Sequence, residues 1–200
     1  MTPIVGAGAG IFVPVTKAPW GSMPVAGIAR YVIPGWYGAL GGTVTPTAGW
    51  LFYLPIYVAS AFTYIGIVCR VTTLVAATTA RMGIYNWANG LPGSLLLDAG
   101  TVSTATTGTK EIVISQLLPP GYYFLAYVND GAPTMLSIDI ASAASPPITG
   151  QTTAPSVPGY SVVPYVTGRA GDVAGGLSNP AIAPTALSTP NIPLIFLREA

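Results

Sequence analysis

The chain has 200 residues, 51% of them apolar and 6% charged, with seven basic and six acidic side chains, no histidine, 24 glycines and 20 prolines. An ordinary soluble domain has about a quarter of its residues charged, so the side chains that acid–base catalysis, metal binding and phosphate binding draw on are scarce here. The net charge of +1 supplies no broad field for nucleic acid or anionic lipid, and near-neutrality on an apolar chain favours association with other protein surfaces.

Residues 1–35 read as an extended N-terminal arm. Pro3, Pro14, Pro19 and Pro24 forbid a helix and a central strand alike. Ile4, Val5, Ile11, Phe12, Val13 and Trp20 are too apolar for a solvated linker, and they are the candidate inter-subunit contacts. Gly6-Ala7-Gly8-Ala9-Gly10 follows no clear strand, opens no helix and lacks the spacing of a nucleotide fingerprint. No Lys or Arg precedes the first apolar stretch, and Lys17 comes after it, so the start does not resemble a signal peptide.

Residues 36–200 read as the folded body. Trp50 to Cys69 carries no charge and is the one stretch long enough to suggest a membrane span. Pro55 splits it, several Tyr, Ser and Thr residues dilute it, and its second half alternates with period two. It is therefore expected to form two strands joined at a bend, and no membrane partner is expected. Cys69 is the single cysteine, which rules out an intrachain disulfide; its place in an apolar alternating run reads as a buried small hydrophobe.

Phe62 to Thr73 predicts a half-buried strand, with Ile65, Ile67, Cys69 and Val71 on one face and Tyr64, Gly66, Val68, Arg70 and Thr72 on the other. Ala80 to Tyr85 repeats the pattern, with Met82 and Ile84 inward and Arg81 outward. Asn86 to Gly93 (NWANGLPG) predicts a turn, since Asn89-Gly90 tolerates positive φ. Within it Trp87 is the candidate exposed contact. Ser94 to Asp98, Lys110 to Ser115, Tyr122 to Asn129 and Thr134 to Ile140 are further strands. Thr101 to Thr109 reads as strand and loop, and Pro119-Pro120-Gly121 breaks the chain before the aromatic strand. Residues 141–193 form a Pro- and Gly-rich excursion, and 194–198, opening Leu-Ile-Phe-Leu, returns as a closing strand. Short strands punctuated by Gly and Pro predict an all-β, antiparallel, jelly-roll-like β-sandwich, with the extended arm before it and the long loop ahead of its C-terminal strand.

The acids are Asp98, Glu111, Asp130, Asp139, Asp172 and Glu199. None forms a local Asp-x-Asp or Glu-x-x-Glu pair of the kind a glycosidase would use, and Asp98 and Asp130, near glycines, read as turn residues. Serines are plentiful, but no histidine base accompanies them. No catalytic residue, cofactor or metal set is expected, although scattered carboxylates leave a structural Ca²⁺ conceivable. Trp36, Tyr37, Trp50, Tyr53, Tyr57, Tyr64, Tyr85, Trp87, Tyr122, Tyr123 and Tyr127 recur through the body. Such residues serve cores and subunit interfaces, and exposed ones can stack on sugar rings.

Four runs carry a resemblance: Arg81 to Asn86 (RMGIYN), Leu91 to Gly100 (LPGSLLLDAG), Thr107 to Ile112 (TGTKEI) and Leu118 to Ala126 (LPPGYYFLA). Together they resemble a β-sandwich module of tailed-bacteriophage virion proteins, found in head and tail fibres and in capsid decoration proteins. The chain departs from that pattern with Phe124 where a tryptophan is common. The resemblance implies a homotrimer on the virion surface, without enzymatic activity. Because only about 35 residues precede the body, the expected function is that of a capsid decoration or cement protein. Its partners would be copies of itself and the major capsid protein or other virion proteins. The alternative is a short head or tail fibre that binds a host glycan. Nucleic acid is not an expected partner.

Overall fold

A computed structural model of the chain describes residues 31–32, 40–139, 165–168, 171–181, 185–186 and 191–199. The expected contacts Ile4, Val5, Ile11, Phe12, Val13 and Trp20 lie outside the described residues, as do Trp36 and Tyr37. The described elements are β1 (Tyr31–Val32), β2 (Leu40–Val44), β3 (Trp50–Val58), β4 (Phe62–Thr73), β5 (Thr79–Ala88), β6 (Leu91–Ser103), β7 (Gly108–Leu118), β8 (Gly121–Asn129), β9 (Thr134–Asp139), β10 (Tyr165–Gly168), α1 (Asp172–Gly175), β11 (Thr185–Ala186), β12 (Asn191–Pro193) and β13 (Ile195–Glu199).

These strands form two packed antiparallel sheets, so the protein is an all-β sandwich. The front sheet runs β1-β13-β4-β9-β12, with β2 added on β9 and β7 on β4; the back sheet runs β11-β10-β3-β8-β5-β6. From β3 onward the chain crosses repeatedly between the sheets, which is the connectivity expected of a jelly-roll-like body. The closing strand is not peripheral. β13 pairs with β4 along Ile195↔Cys69 to Glu199↔Tyr64, and β12 just before it pairs with β9. The last residues thereby tie two front-sheet strands together, and Leu194 N–H donates to Leu136 O at 2.9 Å where the chain changes partners.

The main core lies between the sheets. Phe52, Leu54, Ile56 and Val58 of β3, Met82 and Ile84 of β5 and Leu125 and Tyr127 of β8 meet Ile67, Cys69 and Val71 of β4, Met135 of β9 and Ile195 and Leu197 of β13. Cys69 is fully buried, and burial pushes its thiol up to about 12, with Lys110 pulling weakly the other way.

Four sequence expectations change. In β4 the inward set does not keep one parity. Tyr64 enters the core and Ile65 does not, because the pairing slips between Tyr64 and Gly66 against β7, with a matching slip in β13. An irregularity of this kind resets which side chains face in. Second, Pro55 does not divide Trp50 to Cys69. β3 runs through it, and the break falls at Ala59–Ala61. The proline is tolerated because β10 pairs with β3 only from Trp50 to Tyr53, so Pro55 lies where the described β3 has β8 alone beside it.

Third, the turn expected over Asn86–Gly93 shrinks to Asn89-Gly90, since β5 continues to Ala88 and β6 opens at Leu91. Both turn residues have positive φ, 51° and 89°, as a two-residue hairpin loop of the primed type requires. Fourth, the borders of the arm and the excursion move. Tyr31–Val32 already pairs with Arg198 and Leu197 in the front sheet, and the excursion contributes β10, α1, β11 and β12.

Gly90 carries the steric requirement of the hairpin. Gly90→Ala is expected to lower stability by about 1–2 kcal/mol, the penalty of an L side chain in the left-handed region. Asn89→Gly is expected to stay within about 0.5 kcal/mol of the parent. Equilibrium urea unfolding measures both.

Candidate functional site

The back sheet is unusual in being apolar on its outer face as well. Leu51 and Tyr53 of β3, Tyr85 of β5 and Phe124, Ala126 and Val128 of β8 form a second buried cluster with Val173 and Leu177. Strands buried on both faces read as continuous apolar runs, which is why Tyr122 to Val128 (YYFLAYV) hardly alternates. The cover is the short segment 171–181 with α1 at its start. It lies close: a side-chain carbon on Gly83 would run into both the Leu97 carbonyl and Leu177.

Polar contacts fasten this cover. Arg81, outward from β5, pairs with Asp98 of β6 at 2.8 Å, and its Nη1 donates to Val173 O at 2.8 Å. Asp98 also accepts from Leu177 N–H and Gly100 N–H, each at 3.0 Å. Tyr85 hydroxyl donates to Ser178 O at 2.7 Å. Leu95 N–H donates to Asn179 Oδ1 at 3.0 Å, and Ala181 N–H to Gly93 O at 2.8 Å. One carboxylate thus binds β5, its own strand and the cover.

Burial by itself would raise the Asp98 carboxyl. Hydrogen bonds from Arg81, Leu177 and Gly100, with the Arg81 charge, outweigh it and hold the group below the usual carboxylate range. A carboxylate held ionised by several donors suits anchoring rather than proton transfer. Burial pushes the Tyr85 hydroxyl up to about 12, and it raises that of Tyr53 further. Asp98 is not the turn residue that Ala99-Gly100 suggested. β6 passes through it, and Ala99 is taken up as an irregularity between Gly83↔Asp98 and Met82↔Gly100, with Gly100 at φ 91°. Asp130 does serve a turn, accepting from Thr79 N–H at 2.7 Å. Glu111 is engaged with Arg198 of β13 across Gly66 of β4. Among the described residues no group of three His, Cys, Asp or Glu side chains is placed to hold a metal.

Beyond the cover, the same outer face continues as an aromatic row. Tyr57 of β3 faces Tyr122 of β8 with ring centroids 4.8 Å apart, and Tyr122 faces Trp87 of β5 at 5.2 Å. Trp87 lies parallel to Phe124, at 5.1 Å and 5°. Trp87 therefore belongs to a strand, half-buried, rather than to an exposed turn tip, and Tyr57 is the more open residue at 40%. Phe124, against which Trp87 stacks, is fully buried.

A second open region lies along one side of the sandwich. Among the described residues β6 pairs only with β5 and β7 only with β4, and these two edges flank each other across the sheets. Leu96, Leu97, Ala99, Val102, Ile112 and Ile114 reach the core from there only partly buried. Val113 and Leu117 of β7 stand exposed at 77% and 55%.

No protein family, curated protein or solved structure matches this chain. No described helix is long and apolar enough to cross a membrane. What the geometry defines is a class: a two-sheet β-sandwich with a fastened outer cover, an aromatic row and an open apolar edge.

Because Asp98 is held below its unfolded value, its contribution is present above about pH 4 and is lost as pH falls through the folded value. Asp98→Asn is expected to destabilise the protein at pH 7 by about 1–3 kcal/mol and to flatten the fall in stability on acidification. Urea unfolding of parent and variant between neutral and acid pH tests both expectations.

Proposed function

We propose that this chain is a non-enzymatic structural protein of a tailed-phage virion surface, a cement subunit that binds and stabilises the capsid shell. The observation that carries the reading is the open side formed by β6 and β7. Two long edge strands, unpaired on one side among the described residues, meet there with Val113 and Leu117 exposed. Such edges usually carry charges, prolines or a cover that discourage pairing with other chains. Here Lys110 and Glu111 are the only charges on β7, and Glu111 is tied to Arg198.

An apolar edge on a chain of near-zero net charge fits permanent contact with neighbouring subunits. The apolar arm before Tyr31 adds a second contact element, and the four sequence runs supply the virion context. Sedimentation with capsids that lack the protein is expected to bind hundreds of copies per particle and to raise the capsid melting temperature. A few copies, confined to a vertex or to tails, would overturn the cement reading in favour of a fibre component.

Val113→Lys with Leu117→Lys is expected to leave the fold intact by circular dichroism and to cut particle occupancy at least tenfold, because charges replace the apolar contact. Removing residues 1–30, which leaves β1 in place, is expected to preserve the body and weaken binding further. Normal occupancy in both variants would reject these contact surfaces.

A further inference from the structure

The outer face of the back sheet is divided. One half is sealed by 171–181, yet the aromatic row of Tyr57, Tyr122 and Trp87 continues past it without a described segment upon it. If the row were only spare core, its polar tips would be expected to find partners, as Tyr85 finds Ser178 O. Among the described residues the Tyr57 and Tyr122 hydroxyls and the Trp87 indole N–H have no hydrogen-bond partner. Their rings contact one another, and Trp87 also packs on the buried outer-face cluster.

Such a row suits a ligand with an apolar face and hydroxyls at its rim. Stacking rows also serve single-stranded nucleic acid, but that requires a cationic groove along the backbone. Among the described residues Arg70, Lys110 and Arg198 belong to the front sheet, and Arg81, on this face, is committed to Asp98 and Val173 O; Lys17, Arg30 and Arg169 lie outside the described residues. The lack of an uncommitted cation among the described residues of this face also disfavours sulfated or uronate-rich polymers. Nor does the row offer the branched aliphatic residues of the β6/β7 edge. The ring planes are fixed in place: Trp87 is backed by Phe124, and Tyr57 and Tyr122 are cross-strand partners. A prearranged platform loses little side-chain freedom on binding.

We propose that Tyr57, Tyr122 and Trp87 form a binding platform for a neutral glycan, with successive pyranose rings lying over successive aromatic side chains. This inference does not depend on capsid binding, which the β6/β7 edge would carry.

The test uses the purified full-length chain. Maltoheptaose, cellohexaose and laminarihexaose, with alginate oligomers as the charged control, are titrated while tryptophan fluorescence and proton–nitrogen NMR shifts are followed. At least one neutral oligosaccharide is expected to saturate, with shifts at Trp87 and around Tyr57 and Tyr122. Tyr57→Ala is expected to weaken half-saturation at least about tenfold, near 1.4 kcal/mol, as is Trp87→Phe, which keeps a ring over Phe124. The Val113→Lys variant is expected to bind like the parent. No saturation with any neutral oligosaccharide up to about 10 mM, weaker than the millimolar range of single-site contacts, would overturn the proposal. So would equal binding by the Tyr57 and Trp87 variants. A change of oligomeric state in those variants, without glycan binding by the parent, would assign the row to a subunit interface instead. Loss of glycan binding with intact particle binding would separate this site from the cement reading.

Discussion

The double burial of the back sheet is the constraint on which the rest depends. Its inner face completes the sandwich core, so its outer face must be covered by something other than the front sheet. Segment 171–181 does this, and Asp98 holds it by joining the Arg81 side chain, the Leu177 amide and its own strand at one carboxylate. A chain with so few charges uses them sparingly. Arg81–Asp98 fastens the cover, while Glu111–Arg198 crosses Gly66 and links β7 to β13 over β4. Arg81–Asp98 joins the two strands of one hairpin, and Glu111–Arg198 joins residues 87 apart in sequence. Each is partly shielded from water, which makes it worth more than an ordinary surface pair.

Much of the architecture was legible in the sequence because strand periodicity and Gly-Pro punctuation are local signals. Met82 and Ile84 inward with Arg81 outward, the Asn89-Gly90 turn and the closing strand after the excursion all follow from short windows. Tyr64 could not be placed that way, because the slip near Ile65 arises only when β7 and β13 align on β4. Pro55 misled for the same reason. Its cost depends on how far a neighbouring strand extends, and β10 comes from more than a hundred residues downstream.

The site was harder to read. Asp98 beside Ala99-Gly100 carries the local signature of a turn, and only pairing with β5 shows that the chain continues as a strand. One signal did exist. Tyr122 to Val128 fails to alternate, which announces a strand buried on both faces and hence a cover to be found elsewhere in the chain. Trp87 reads along the chain as an exposed turn residue, but it lies half-buried in β5, and its companions Tyr57 and Tyr122 converge on it from other strands. The row is a product of register, invisible along the chain. The sandwich thus keeps apart two surfaces of different chemistry, an aliphatic edge at β6 and β7 and an aromatic row on the back face.

The burial of Cys69 has a consequence for covalent chemistry between molecules. A crowded apolar protein with one accessible thiol would be open to covalent pairing between molecules, fixing whichever neighbours happened to meet first. Here the sulfur sits at the centre of β4, closed in by both sheets, and burial disfavours the thiolate that exchange requires. Any contact between folded copies would therefore be reversible with respect to thiol chemistry. A thiol reagent in turn becomes a clock for the opening of the sandwich itself, because reaction must await separation of the sheets.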